Sequence, residues 1–174
     1  LLFDNRCPSC GGSLDETDDA VCAGCRLHFE TKSLKKYEEL YYIWDYDEKL
    51  KKVIEEFKFF GKKGLREYLG RIIEKKLDFI MLKEKIDIIV PVPIHKKRKN
   101  ERGFNQVEEI LKYLGKEFVE AKRIKNTKHM YSILNDKERR KNIKDSFSVD
   151  SDAVLRKRIL IFDEATSALD YESE

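Results

Sequence analysis

A short apolar run followed by two prolines is the feature that most restricts the fold. Residues 86–90 read Ile-Asp-Ile-Ile-Val, and this β-branched run is too short for a helix, so it predicts a buried strand. Pro91 and Pro93 lack the backbone N–H that a strand ladder needs, and they predict that the strand ends in a stiff loop. That predicted loop carries one histidine and four consecutive cations, which are His95, Lys96, Lys97, Arg98 and Lys99.

An amphipathic helix is predicted directly after this loop. Its apolar residues recur every three or four positions and so share one helical face; they are Phe104, Val107, Ile110, Leu111 and Leu114. A strand, a basic loop and a helix in this order predict an α/β sheet whose ligands bind beyond the carboxyl ends of the strands. The segment therefore predicts a phosphate-handling site, and a plain solvated basic run is the alternative.

Two Cys-x2-Cys pairs predict a metal site near the start of the chain. Cys7 and Cys10 form one pair, and Cys22 and Cys25 form the other, with eleven residues between the pairs. Two such pairs supply the four sulfurs of a tetrahedral zinc site. Two disulfides are the alternative, which a chain without an export signal disfavours. His28 follows closely, and with four cysteines present we expect it to pack or to face solvent rather than to bind the ion.

Length and charge limit the organisation of the chain. The 174 residues fit one ordinary domain and a small appendage, so we predict a four-cysteine module over residues 1–32 and an α/β domain over residues 33–174. Charged residues make up 40% of the chain but the net charge is only +3, so cations act as local patches. No long apolar run and no signal sequence stand out, and we expect a cytoplasmic protein without membrane insertion.

The segment between the cysteines and the first predicted strand is helical in pattern. Residues 34–44 predict a linker helix or a short strand. Two amphipathic helices follow and are divided at residues 61–64, Gly-Lys-Lys-Gly. We assign the aromatic residues of these helices to core packing.

The amino-acid sequence of the central segment resembles that of a known family. Val-Pro-Val-Pro-Ile-His over residues 90–95, the basic spacer, and Arg-Gly-Phe-Asn-Gln over residues 102–106 resemble the signature of the ComF family, specifically its ComFC-like competence proteins. The resemblance implies a zinc ribbon ahead of a type I phosphoribosyltransferase-like domain with a parallel sheet. It also implies a role in natural transformation, with single-stranded DNA, a phosphoribosyl-type small molecule and other competence proteins, such as a helicase or a recombination mediator, as partners.

The same resemblance implies positions for the ligand. The loop from Pro91 to Arg98 lies where related proteins hold pyrophosphate. A polar segment over residues 123–142 resembles the mobile cover of the site, in which Arg139 and Arg140 are candidate anion contacts. A plain surface helix over residues 136–143 is the alternative for part of this cover.

A second strand is predicted to begin at Phe118 and Val119. A further apolar strand is predicted over residues 159–162, and it delivers Asp163 and Glu164 at its end. Type I phosphoribosyltransferases have two acids there that hold the ribose hydroxyls with magnesium close by. The loop that follows cradles a phosphate in those enzymes, and here it offers Thr166 and Ser167. This loop has no glycine where the backbone must approach a phosphate closely, so the phosphate loop is degenerate and both turnover and binding alone stay open.

The last sixteen residues, 159–174, resemble a different family. Ile-Leu-Ile-Phe-Asp-Glu-Ala-Thr-Ser-Ala-Leu-Asp is similar to the Walker B strand and D-loop of exporter-type ABC ATPases. The chain lacks the Gly-x4-Gly-Lys-Ser/Thr loop that an ATPase needs, so we do not expect ATP hydrolysis. We expect either a tail joined from another sequence, which we favour, or a diverged loop; the sheet of the phosphoribosyltransferase-like fold would then be truncated at its C-terminal end.

These observations give one predicted ligand site and one competing function. The candidate ligand residues are Pro93, His95, Lys96, Arg98, Arg102, Arg139, Asp163, Glu164, Thr166 and Ser167. The competing function is a zinc-dependent nucleic-acid-binding module on an inactive transferase scaffold, in which Tyr41, Tyr42 or Trp44 stacks on bases.

Overall fold

A computed structural model describes residues 5–60, 63–125, 127 and 133–163. The chain divides into two compact units, Leu1–Asp78 and Phe79–Glu174. The fold is mixed α/β, with a cysteine cluster in the first unit and a parallel strand pair in the second. The helices are α1 Ala23–Glu30, α2 Glu48–Phe60, α3 Lys63–Lys83, α4 Lys96–Arg102, α5 Gln106–Tyr113, α6 Asp136–Ile143 and α7 Ser151–Val154. The strands are β1 Lys35–Tyr37, β2 Leu40–Tyr42, β3 Ile88–Pro91, β4 Lys122–Arg123, β5 Phe147–Ser148 and β6 Ile159–Phe162.

The first unit packs the cysteine segment together with α2 and the start of α3. Trp44 donates from Nε1 to the carbonyl of Phe29 over 3.0 Å, and their rings meet edge to face. The side chain of Ser9 is buried and reaches the carbonyl of Lys49. The compact unit therefore continues well beyond residue 32, because residues from 44 onward pack on the cysteine segment. Its core residues are Val21, Phe29, Leu50, Val53, Ile54, Phe57, Leu65, Tyr68, Leu69 and Ile73.

The two amphipathic helices predicted after residue 48 are confirmed as α2 and α3. The segment before them is an antiparallel hairpin of β1 and β2, so the short-strand alternative is correct and the linker helix is wrong. The chain reverses at Glu38, whose φ of 52° is left-handed. The helix-like spacing of the aromatic residues misleads because a two-residue turn brings residues of both strands onto one surface.

The second unit contains the predicted strand pair. β3 and β6 are parallel, with Ile88 opposite Ile159 and Pro91 opposite Phe162. Val119 donates from its backbone N–H to Ile89 on the other side of β3. Because β3 is flanked on both sides, Ile89 and Val90 are buried, as a β-branched run predicts.

The four cations lie on a helix, so the predicted loop for them is wrong. α4 begins at Lys96, where His95 caps the helix by accepting from the backbone N–H of Lys97. It ends at Gly103, whose φ of 87° suits a glycine at a helix C-terminus. α4 buries none of its residues, so its sequence has no apolar periodicity from which the helix could be predicted.

The region after α5 is less regular than the sequence predicts. The strand expected to start at residue 118 is reduced to an isolated bridge between Ile89 and Phe118 and to the short β4, which pairs antiparallel with β5. The predicted surface helix over residues 136–143 is confirmed as α6, and it buries no side chain. Within the predicted cover, residues 126 and 128–132 lie outside the described part of the chain.

Candidate metal centre and ligand-binding edge

The two cysteine pairs are held by different local structures. In the first pair, Gly11 donates from its N–H to the carbonyl of Cys7 over 2.8 Å, and the φ of 78° at this glycine closes the turn. In the second pair, Cys22 is the residue before α1 and Cys25 lies in its first turn. The start of α1 therefore brings the two thiol groups of this pair within one helical turn of each other.

The four sulfurs converge as a metal site requires. All four Sγ atoms lie within 4.8 Å of one another, and Cys10 and Cys22 are 3.7 Å apart across the two pairs. A tetrahedral ion with bonds of about 2.3 Å to sulfur separates its ligands by about 3.8 Å, so the donor set fits. All four cysteines are free thiols, so the structure contains neither disulfide of the alternative. The cluster can hold a metal ion.

The surroundings of the thiols favour charge at one and oppose it at another. A backbone hydrogen bond from Gly12 lowers the pKa of Cys10 to about 7. Burial raises the pKa of Cys25 to about 12 in the metal-free cluster. The backbone N–H of Cys22 donates to the sulfur of Cys7 over 3.4 Å, a contact that links the two cysteine pairs. Because a metal binds thiolates, loading this cluster must displace protons from sulfur.

His28 has a carboxylate as its hydrogen-bonding partner. Its Nε2 lies 2.8 Å from Oδ2 of Asp47, and its ring meets Phe29 edge to face. The same Asp47 accepts from the backbone N–H of Leu50 at the start of α2. His28 thus ties α1 to the start of α2, in keeping with the packing role expected for it.

In the second unit, β3 and β6 end at the same edge of the strand pair. Val92 donates from its backbone N–H to the carbonyl of Phe162 over 2.9 Å, so β3 and β6 end together. His95 follows β3 by four residues and Asp163 follows β6 directly. His95 and Asp163 therefore follow the ends of two neighbouring parallel strands. Glu164, Thr166 and Ser167 lie outside the described residues.

The start of α5 is fixed to this edge by buried polar groups. Asn105 donates from Nδ2 to the carbonyl of Val92 over 3.1 Å and to Oε1 of Glu108 over 3.1 Å. Its Oδ1 accepts from the N–H of Val107, which caps the helix. Glu108 also pairs with Lys99 of α4 at 3.0 Å. Residues 105–108 therefore anchor both helices to the segment that follows β3.

The candidate cations of α4 differ in their surroundings. Lys96 is exposed, Arg98 and Arg102 are half-buried, and the helical spacing puts these two arginines on one face. Nδ1 of His95 accepts a hydrogen bond over 3.2 Å, so the neutral ring carries its proton on Nε2 and can donate from there. Pro93 is buried, and it shapes the backbone instead of offering a polar contact.

Arg139 is engaged inside its own segment. Its Nε donates to the carbonyl of Ile133, and its Nη1 lies 3.9 Å from Asp136 one turn earlier in α6. Its side chain is only 12% exposed. These contacts fasten α6 to the chain before it, so Arg139 has a structural task at this position.

Arg123 is a basic residue at this edge that is not among the candidate site residues predicted from the sequence. Arg123 forms a parallel bridge with His95, which places β4 beside the end of the β3 segment. Its guanidinium donates to the hydroxyl of Thr127 and lies 5.6 Å from the ring centroid of Phe147. Burial lowers the pKa of Arg123, and the nearby charge of Arg98 lowers it further. Only a hydrophilic stretch marks this position in the sequence, so no pattern signalled its burial.

Comparison of the chain with protein-family models, with curated proteins and with solved structures gave no match. Among the described helices, none combines the length and the apolar character needed to cross a lipid bilayer. The two candidate sites therefore rest on their own geometry and on the sequence resemblance.

Proposed function

We propose that the chain is a ComFC-like protein of natural transformation that binds a phosphoribosyl-type ligand at the shared edge of β3 and β6. The carrying observation is the parallel register that ends both strands together, with His95 after one and Asp163 after the other. Cations suit the phosphate groups of such a ligand, and a carboxylate suits its ribose hydroxyls and an accompanying magnesium ion. In this proposal the protein works in the cytoplasm, handles single-stranded DNA and meets other competence proteins.

The chemistry proposed for this edge is charge stabilisation. Phosphoribosyl transfer builds positive charge on the ribose, and a fixed carboxylate such as Asp163 would stabilise that charge. His95 and Arg98 would hold the diphosphate that leaves, and Nε2 of His95 carries the proton needed to donate to it. A protein that retains these contacts but lacks a glycine in its phosphate loop would bind the ligand without turning it over, so binding is the property to test first.

For the first unit we propose a structural zinc ion in the cysteine cluster. Four thiolates at tetrahedral spacing are the donor set that zinc prefers. The cluster ties the turn after Cys7 to the start of α1, so its metal would hold together residues that bury little apolar surface of their own.

The direct test is calorimetric titration of the zinc-loaded chain with magnesium and phosphoribosyl pyrophosphate. Asp163→Asn should weaken binding about tenfold or more, because a charged contact to a buried ligand is worth roughly 1.5 to 3 kcal/mol. Asp152→Asn removes the same charge from an exposed position in α7 and is the matched control. Absence of ligand binding by the parent chain, or equal binding by both variants, would refute the proposal.

The second candidate function is nucleic-acid binding by the hairpin of β1 and β2. Lys36 lies 4.8 Å from the ring centroid of Tyr41 and Lys35 lies 5.4 Å from that of Tyr42, while Tyr37 is 66% exposed. Aromatic rings beside cations can stack on bases and neutralise phosphates. Trp44 is occupied by Phe29, so the tyrosines are the better stacking candidates.

A salt titration of single-stranded DNA binding separates the two candidates. Under the hairpin hypothesis, Tyr37→Ala and Cys22→Ser both weaken DNA binding, and phosphoribosyl pyrophosphate does not compete. Under the first proposal, DNA binding survives Cys22→Ser and is displaced by phosphoribosyl pyrophosphate, because the site lies in the second unit.

A further inference from the structure

Arg123 is a half-buried cation with one buried nitrogen that no described residue satisfies. Its Nε atom is buried and has no hydrogen-bond acceptor among the residues that the structure describes. Its Nη2 donates to the neutral hydroxyl of Thr127, and no described carboxylate pairs with the guanidinium. A buried guanidinium N–H without an acceptor is costly, so this half-buried arginine lacks a partner that an oxyanion could supply.

The neighbours of Arg123 increase this demand. Arg98 lies near enough to lower the pKa of Arg123 by repulsion, so two positive charges are brought together at one place. The ring of Phe147 covers one side of the guanidinium at 5.6 Å, which restricts its orientation. The bridge between Arg123 and His95 puts this pair at the same edge as the end of β3. Like charges held together in a fixed orientation are an arrangement that an oxyanion stabilises.

We propose that Arg123, with Arg98 beside it, binds a compact oxyanion of the phosphate class at the edge of β3 and β6. The partly buried guanidinium presents a planar fork, which matches two oxygens of one phosphoryl group. A compact anion fits this confined place better than an extended polyphosphate backbone, which needs a row of exposed cations. The inference rests on the proposed function for the identity of the natural ligand, and it names the residue that would take the diphosphate of that ligand.

The test uses the full zinc-loaded chain and inorganic pyrophosphate as the probe. Pyrophosphate should raise the midpoint of thermal unfolding of the parent chain in a concentration-dependent way, because it binds only the folded state. Arg123→Gln should weaken pyrophosphate binding at least tenfold. Lys122→Gln removes the same charge from an exposed position one residue earlier in β4 and should leave binding unchanged. Sodium chloride at equal ionic strength controls for general salt effects.

A second readout distinguishes a ligand-binding arginine from a structural one. Without an anion, Arg123→Gln should unfold at the same temperature as the parent chain or higher, because it removes a half-buried cation whose buried Nε has no acceptor among the described residues. Arg123→Lys keeps the charge without the fork and should bind pyrophosphate with intermediate affinity. If Arg123→Gln is less stable than the parent in the absence of anion and binds pyrophosphate within twofold of the parent, the inference is wrong.

Two further arms separate this inference from the proposed function. If Arg123→Gln binds magnesium phosphoribosyl pyrophosphate with the affinity of the parent chain, the inference is overturned and the proposed function stays intact. Pyrophosphate binding that requires Arg123, in a chain that does not bind phosphoribosyl pyrophosphate, would support the inference and refute the proposed function. The last arm uses an oligodeoxynucleotide without terminal phosphates. If the chain binds this oligonucleotide through Arg123 but does not bind pyrophosphate, the inference is overturned and Arg123 contacts a phosphodiester backbone instead.

Discussion

The ion pair between Lys99 of α4 and Glu108 of α5 offers a test of how the two helices are anchored, because a second Lys–Glu pair lies within α5 for comparison. Nζ of Lys99 is 3.0 Å from Oε2 of Glu108, whose side chain is only 8% exposed. Nζ of Lys112 is 2.9 Å from Oε1 of Glu109, whose side chain is 25% exposed. The two pairs share residue types and distance. They differ in how far water reaches the carboxylate, and the first pair links α4 to α5 whereas the second lies within one turn of α5.

Burial should make the coupling energies of the two pairs unequal. A hydrogen bond to a buried charged group contributes roughly 1.5 to 3 kcal/mol. Since Lys99 is 45% exposed, we expect the lower end of that range, about 1.5 to 2 kcal/mol, for its coupling with Glu108. The hydrogen bond with Glu109 raises the pKa of Lys112, but this lysine is 54% exposed, and solvent screening should leave about 0.5 kcal/mol or less.

Two double-mutant cycles measure these energies. One combines Lys99→Met with Glu108→Gln, and the other combines Lys112→Met with Glu109→Gln. Native-state hydrogen exchange at the amides of Ile110 and Leu111 is a suitable assay, because these buried residues report on the second unit whereas the single tryptophan lies in the first. Equal coupling energies in the two cycles would refute the argument that residues 105–108 form a buried anchor for the edge of β3.

Two predictions concern the first unit. Binding of one zinc ion at pH 7.5 should release at least two protons, because burial raises the pKa of Cys25 to about 12 and the pKa of Cys22 is also raised above its usual value. Zinc affinity should therefore fall as the pH falls, and calorimetry in buffers of different ionisation enthalpy measures the proton release. Affinity independent of pH between 6 and 8 would contradict this. Tyr68→Phe should leave the free energy of unfolding unchanged or raise it by up to about 1 to 3 kcal/mol, because the hydroxyl of this buried tyrosine has no partner among the described residues. Leu65→Ala should lower it by about 2 to 5 kcal/mol, and chemical unfolding measures both changes. A loss of stability in Tyr68→Phe comparable to that in Leu65→Ala would show that the hydroxyl is bonded.

The parts of the fold that could be predicted are those that bury apolar side chains. β3, β6, α2, α3 and α5 all carry an apolar run or a face with regular spacing, and each is present where the sequence indicates. The cysteine cluster was predictable for a different reason, because Cys-x2-Cys spacing is a geometric requirement of the ion.

The parts that could not be predicted depend on polar groups and long-range contacts. α4 is specified by a histidine cap at one end and a glycine at the other, and all its residues between are charged or polar. The position of Arg123 is set by the pairing of β4 with β5 and by the bridge to His95, and neither contact is encoded near residue 123. The role of Asn105 as a cap that also binds the carbonyl of Val92 requires a tertiary contact that no local pattern reveals.

The most direct test of the shared edge is an NMR titration of the zinc-loaded chain with magnesium phosphoribosyl pyrophosphate. We expect the backbone amides of His95, Arg98 and Asp163 to shift together and to saturate with one dissociation constant, because the parallel register of β3 and β6 puts them beside one ligand. Shifts confined to one of the two strand ends, or no shifts at either end, would contradict the account.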